Sequence, residues 1–258
     1  MTRPIVVIKC GGSTLDNLSD CFFQGVKQLQ MDGKQPVIVH GGGPDIESVL
    51  EKMAIKTEFH EGLRKTTASV MEVVEMVLAG RVNKRLVTKL RTCGIDASGL
   101  AGCDGGMLQC QAINRELLGY VGDVKHVQTN VLEGLIDDCI VPVIAPLGVD
   151  SEGIHYNINA DTAASAIANA LQAEQMMFVT DVPGIMKDGQ VIQELTETDV
   201  EQLMTDGTIY GGMIPKVKAA LATLKGSLKE VAIVQGAQNH SQNGICGTTI
   251  TRSLEVVR

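Results

Sequence analysis

The run Ile5-Val6-Val7-Ile8 ends on Lys9-Cys10-Gly11-Gly12, and no other feature narrows the fold as much. A short unbroken apolar run bounded by turn residues reads as a strand buried on both faces. A lysine and two glycines finish a core strand poorly, unless the chain must turn sharply, bare its backbone N–H groups and hold one fixed positive charge beside them. A phosphate site asks for those three things. The pattern nearly repeats at Pro36-Val37-Ile38-Val39-His40-Gly41-Gly42-Gly43-Pro44. Two glycine-rich exits from two early strands predict one cleft built from both.

Strand and helix signals alternate along the rest of the chain. Residues 19–31 have helical spacing in Phe22, Phe23, Val26 and Leu29, and Gly33 ends them. A second helix opens at Pro44, with Asp45 and Glu47 in its first turn. Residues 69–93 form a long helical stretch whose apolar stripe is Val70, Val73, Val74, Val77 and Leu78. Such a stripe is core in most folds, and a dimer contact where it is exposed. Between Gly99 and Gly122 glycines punctuate short alternating pieces, which read as strands and hairpins of a small lid-like sheet. Helices follow at 130–138, 161–173, 198–206 and 215–224, and strands at 140–146, 176–180 and 231–234. Asp188-Gly189 marks a tight turn, and 248–250 an edge strand. The expected fold is α/β: a three-layer αβα sandwich with a largely parallel central sheet. A boundary near 175 separates an N-terminal lobe, 1–174, from a C-terminal lobe, 175–258, that carries 180–184 and 211–216.

Charge and cysteine usage exclude several function classes. The net charge is −8, which disfavours nucleic acid as the main partner but leaves room for a small anionic ligand beside local lysines. The seven cysteines have no Cys-x-x-Cys spacing and read as free thiols of a reducing cytoplasm. Cys10 sits in the glycine turn without an evident activating histidine. The five histidines show no metal-ligand spacing, and no dedicated metal site is expected. No apolar run reaches the ~18 residues of a membrane helix. The N-terminus has no signal-peptide pattern, and the protein is expected in the cytoplasm.

The familiar nucleotide motifs are absent. There is no Gly-x-x-x-x-Gly-Lys-Ser/Thr, and no Gly-x-Gly-x-x-Gly follows either early strand. The phosphate site must be of another kind, and Lys9 and Lys216 are its candidate cations. Lys216 closes Gly211-Gly212-Met213-Ile214-Pro215-Lys216, with Pro215 suited to the first helical position. A cation in a first helical turn opposes the helix dipole unless an anion lies between them; the plain alternative is a solvated surface lysine. Asn157, Asn159 and Asp161 step by two, so in an extended segment they share a face. Asp161 is either a helix N-cap or a carboxylate between the two lysines, a poor general base and a good organiser. Arg64, in Gly62-Leu63-Arg64-Lys65-Thr66, is a candidate carboxylate fork or a surface ion pair. His40 is either functional or a satisfied core histidine.

Taken in order along the chain, these motifs resemble those of the amino acid kinase family. The resemblance rests on 9–12, 41–44, 62–66, 157–161, 180–184 and 211–216, with 102–106 and 118–122 resembling substrate-side hairpins. It implies the carbamate kinase-like fold and phosphorylation of the side-chain carboxylate of N-acetyl-L-glutamate by MgATP, a step of arginine biosynthesis. By the same resemblance, Lys9 and Lys216 stabilise the phosphoryl group in flight and Asp161 orients them. Gly42 and Gly43 hold the acetylglutamate, with Arg64 and Asn157 on its α-carboxylate. The nucleotide falls to Gly11 and Gly12, to Thr180, Asp181, Val182, Pro183, Gly184 and Ile185, and to Gly211, Gly212 and Met213 within 208–216. Mg²⁺ travels on the ATP. Arginine-inhibited members carry an extra N-terminal helix. Here the first strand begins at about residue 4, so a homodimer through 69–93, not inhibited by arginine, is expected.

Three rivals stand beside that expectation. One is a kinase of the same family acting on glutamate, aspartate, carbamate or UMP. Another is a non-catalytic nucleotide or amino-acid sensor, which would not need both lysines. The third is a nicotinamide-dependent oxidoreductase, which the missing motifs disfavour.

Overall fold

The computed structural model describes residues 4–224, 228–236 and 247–252. Cys246 lies outside them. Eight strands form the main sheet: β1 (Ile5–Cys10), β2 (Gln35–His40), β3 (Ala97–Ala101), β4 (Val141–Ala145), β5 (Gln175–Thr180), β6 (Glu194–Thr196), β7 (Glu230–Gln235) and β8 (Gly247–Thr251). Their order is β6-β8-β7-β5-β1-β2-β4-β3. Every pairing is parallel except β7 with β8. The β1–β5 ladder is therefore the seam between strands drawn from the first 145 residues and strands drawn from 175 onward.

The sheet is central because its strands are apolar on both faces. Every residue of β2, β4 and β5 is buried. In β1 the alternation sends Val7 into one core, with Ile167 and Val217 of the helices Ala160–Ala170 and Met213–Leu224. Val6, Ile8 and Cys10 enter the other core, with Phe22 and Leu86 of Asp20–Met31 and Asn83–Thr92. Helices thus cover both faces, as the αβα expectation requires.

Several local expectations are corrected. The 69–93 stretch is three joined segments, Ala68–Glu75, a π-helical Met76–Val82 and Asn83–Thr92. Its stripe of Val70, Val73, Val74, Val77 and Leu78 is buried in the chain's own core. That stripe packs on Leu50 and Leu147 and is not free for a second copy. Gly99 belongs to β3 of the main sheet rather than to a lid. The smaller sheet closes on itself as a ring of Leu108–Ala112, Val121–Val127, Leu147–Val149 and His155–Ile158. The segment 248–250 is interior, since β6 pairs outside β8. β6 has only three residues and one buried side chain, too little pattern to read as a strand. Asp188 and Gly189 do form a tight turn, at φ 52° and 79°, between two-residue antiparallel strands. Among the described residues no helix is long and apolar enough to cross a membrane.

Candidate active site

The strand period decides where the first lysine points. Lys9 is two residues beyond Val7 and shares its face, the face covered by the helix Ala160–Ala170. Asp161 is the second residue of that helix. Its cap is Asn159, whose Oδ1 accepts from the N–H groups of Asp161 and Thr162 at 2.9 and 3.2 Å. The cap reading of Asp161 therefore passes to Asn159, and 157, 159 and 161 do not share one extended ridge. A carboxylate in a first helical turn is favoured by the helix dipole. Lys9 Nζ lies 2.9 Å from Asp161 Oδ1. No well-directed hydrogen bond reaches that buried oxygen, so the hold is coulombic.

The second lysine arrives from the other side of the seam. The helix carrying it starts at Met213, which makes Pro215 its third residue and Lys216 its fourth. Lys216 Nζ donates to Asp181 Oδ1 at 2.5 Å and approaches Thr180 Oγ1 at 3.5 Å. Asp181 directly follows β5. The Lys216 hydrogen bond is the main cause that holds the Asp181 carboxyl below its usual range. Asp161 thus does not sit between the two lysines: each lysine has its own aspartate. The helices behind them are tied to each other by Ser165 Oγ and Thr223 Oγ1, 2.9 Å apart.

Lys9, Asp161, Thr180, Asp181 and Lys216 nevertheless line one cavity of about 180 Å³, with Gly11, Ser13 and Thr14 of the first glycine turn. It lies at the carboxyl ends of β1 and β5, where ligands of open α/β sheets bind. A larger hollow of about 890 Å³ opens at the amino ends of the strands, beside Ile5, Gln35 and Glu174. Its charged lining is Glu133, Asp137 and Glu174, which repels a polyphosphate.

The two glycine exits meet backbone to backbone. A Cβ on Gly12 would lie 2.7 Å from the Gly42 nitrogen and 2.8 Å from that of Gly43. A side chain at position 12 would push the turns apart. Gly43 begins the helix Gly43–Lys52 with open space beside it. Arg64, nearly buried, donates from Nη1 to Glu47 Oε2 at 2.6 Å and to Thr57 Oγ1, and from Nη2 to the Gly43 carbonyl at 3.4 Å. The fork is therefore already engaged with Glu47 rather than standing open. Asn157 Nδ2 donates to Thr66 Oγ1 at 3.2 Å, and that hydroxyl donates to the Arg64 carbonyl at 2.9 Å. Gly43, Arg64 and Asn157 thus form a connected patch beside the glycine turns.

On the other flank, Thr180 Oγ1 accepts from the Val182 N–H at 3.0 Å, and the Ile185 N–H donates to Thr248 Oγ1 at 2.8 Å. Gly184 has φ 143°, and a Cβ there would meet Thr248 Oγ1 at 2.7 Å. Pro183 precedes Gly184 in this loop, while Gly211 (φ 55°) and Gly212 lead into the Lys216 helix, which Met213 begins. Pro215, but none of 182–185 or 211–213, reaches the cavity lining.

A model of the amino acid kinase family matches residues 4–235. The chain belongs to that family. It is 53% identical over 252 residues to the acetylglutamate kinase of Geobacillus kaustophilus, covering 97% of this chain and 98% of that protein. The acetylglutamate kinase of Halalkalibacterium halodurans is 51% identical, at 97% of each chain. The crystal structure of smu.665 from Streptococcus mutans UA159 superposes with a TM-score of 0.82 at 35% identity, covering 96% of this chain and 98% of that one. The family's fold, a mostly parallel sheet between helical layers, is the one described above.

Two polar cavity residues escape sequence reading, Ser13 and Thr14, although both follow the first glycine pair. Asp181 was legible as part of a nucleotide segment but not as the partner of Lys216. Cys10 is fully buried, and burial pushes its thiol up to about 12; it is no nucleophile. His40 is also fully buried, with both ring nitrogens partnered.

Proposed function

We propose that the protein transfers the γ-phosphoryl group of ATP to the side-chain carboxylate of N-acetyl-L-glutamate, an arginine-biosynthetic step. The observation that carries this reading is the convergence of Lys9 and Lys216 on one cavity at the seam of the sheet. The relatives named acetylglutamate kinase supply the acceptor.

The chemistry suits the residues. The acceptor carboxylate is ionised at neutral pH, so attack needs no general base. One carboxylate oxygen forms a bond to the γ-phosphorus, the bond to the β,γ-bridging oxygen breaks, and ADP leaves with that electron pair. The obstacle is repulsion between two anions, and the remedy is positive charge and alignment along the transfer axis. Lys9 and Lys216 provide the charge from either side. Asp161 orients Lys9 and Asp181 holds Lys216 until phosphate oxygens replace it. Gly11 and Gly12 of the first turn take the phosphates; the Gly11 N–H is itself held by the Val179 carbonyl at 3.4 Å. Gly42 and Gly43, with Arg64 and Asn157, hold the acetylglutamate. Residues 180–185 and 208–216 hold the nucleotide. Both cavity aspartates are paired with lysines, which fits Mg²⁺ carried by the ATP phosphates rather than in a protein cage. The metal would neutralise phosphate charge.

The same reading divides the work at the seam, with residues 1–174 taking the acceptor and 175–258 the nucleotide. It also includes a cytoplasmic homodimer. Cys10, Cys93, Cys103 and Cys110 are free thiols, as in a reducing compartment. The outward face of the long helix leaves Met76 56% exposed, and light scattering reads whether two copies pair there.

The deciding assay offers MgATP with acetylglutamate, glutamate, aspartate, carbamate and UMP in turn, trapping acyl phosphate with hydroxylamine. Turnover of acetylglutamate alone is expected, and preference for another acceptor sinks the reading. Arg64→Ala should raise KM for acetylglutamate by about 10- to 100-fold, the loss of a charged hydrogen bond, and KM for ATP far less. Equal rises would remove Arg64 from the acceptor pocket.

A further inference from the structure

We propose that His40 is a positioning residue for the transfer: backed by Asn83, it fixes the Gly41–Gly42 peptide so that the Gly42 N–H faces the cleft. The inference rests on the reading above that Gly42 and Gly43 hold the acceptor.

His40 ends β2 with no solvent exposure. A buried imidazole is costly unless its polar atoms are bonded, and here the bonds specify its state. Nδ1 lies 2.8 Å from the Gly41 carbonyl oxygen. A carbonyl can only accept, so Nδ1 carries the proton. Nε2 lies 3.2 Å from Asn83 Nδ2. The Asn83 amide cannot be turned round: Nδ2 also donates to the carbonyls of Val143 at 2.8 Å and Leu100 at 3.3 Å, while Oδ1 accepts from Lys84 Nζ at 3.0 Å. The two amide hydrogens are shared among these three acceptors, a hydrogen on Nε2 would point at the NH2 group, and the ring is therefore the neutral Nδ1–H tautomer with Nε2 bare. Lys84 and Arg85 on the long helix and Asp45 on Gly43–Lys52 are the charged groups that face it. Burial, aided by Arg85 and Lys84 and opposed by the Gly41 carbonyl and Asp45, pushes the ring's pKa down to about 4, so the tautomer persists through the neutral range.

The consequence passes through one trans peptide. Its C=O and N–H point in opposite directions. Drawing the Gly41 carbonyl toward the imidazole turns the Gly42 N–H away from the core, toward Gly12 and the cleft. Gly42 is also walled from behind: a Cβ there would meet Leu78 Cδ2 at 2.5 Å and Val82 Cγ2 at 3.4 Å. Leu78 and Val82 belong to the π-helical Met76–Val82, and Asn83 follows it directly. The extra residue per turn of that segment sets the two apolar walls and the amide against the same glycine turn.

The test joins ¹⁵N-histidine NMR on the ligand-free full chain to steady-state kinetics of His40→Leu and His40→Asn. The spectrum should show Nδ1 protonated and Nε2 bare from pH 5.5 to 8. His40→Leu should raise KM for acetylglutamate by about tenfold or more, the loss of one buried hydrogen bond, with KM for ATP within about twofold. His40→Asn sets an amide nitrogen where Nδ1 was and should recover most of that loss. An Nε2–H tautomer, a ring that titrates near its ordinary value, or equal changes in both KM values overturns the proposal. If His40→Leu does not fold, the spectrum and His40→Asn decide alone. A wild-type protein inert toward acetylglutamate would defeat the proposed activity, while the tautomer readout would still stand or fall by itself.

Discussion

The two halves of the cleft, which the proposed function gives to the acceptor and to the nucleotide, are built on opposite plans. On the acceptor side Gly12 touches the Gly42–Gly43 backbone, His40 is sealed beneath, and the Lys9–Asp161 side chains are 16% and 39% exposed. On the nucleotide side Lys216 and Asp181 are 31% and 72% exposed, and Gly212 has open space where a Cβ would go. One half is fixed by packing before any ligand arrives. The other is held by a solvated ion pair that an incoming phosphate can displace at little cost. Preorganisation and access are thus assigned to different strands of one sheet.

The largest expected effect tests whether the two plans serve one reaction. Lys9→Ala and Lys216→Ala should each lower kcat by about 100- to 1,000-fold, the scale of one lost electrostatic stabiliser, with much smaller changes in KM. Single-turnover kinetics would show it, and an intact kcat in either variant would separate that lysine from the transfer. Next comes acid. The unfolded chain protonates His40 near 6.5 and the folded protein near 4. Between those values the unfolded state binds more protons. Stability should be full above pH 6.5 and decline toward pH 4 by up to about 3 kcal/mol. Urea melts of wild type and His40→Asn at pH 7 and 4.5 measure it; the wild type should lose more.

A smaller contrast sets one glycine against another. Gly12→Ala forces a backbone contact and should cost about 1–3 kcal/mol, whereas Gly212→Ala should change thermal stability by less than about 0.5 kcal/mol. Matching melting curves would erase the distinction between the halves. The weakest effect belongs to Asp181. Its lowered carboxyl contributes stability above the ordinary carboxylate range, lost only as pH falls through the lowered value. Because the side chain is mostly exposed, Asp181→Asn should shift stability by well under about 1 kcal/mol.

What the sequence discloses follows the same division. The strands of the central sheet were legible because burial on both faces writes an unbroken apolar run, as in Val6–Ile8 and Val37–Val39. The glycine exits were legible because close backbone approach excludes side chains. The ion pairing was not: the sequence points to Asp161 between both lysines, and only the end of β5 places Asp181 against Lys216. Nor could periodicity tell that Val70, Val73 and Val77 face the chain's own core, since an apolar stripe looks the same whichever surface covers it. β6 carries too few residues for any pattern, and without it β8 reads as an edge. The His40 network depends on carbonyls from Leu100 and Val143, sixty and more residues away along the chain.

The hydroxyl pair Ser165–Thr223 carries a mechanical consequence. It clamps the two helices four residues behind Asp161 and seven behind Lys216, about 6 and 10 Å along their axes. The clamp acts as a fulcrum between levers of unequal length. A tilt of a few degrees about it would carry Lys216 further than Asp161, which would stay against Lys9 of β1.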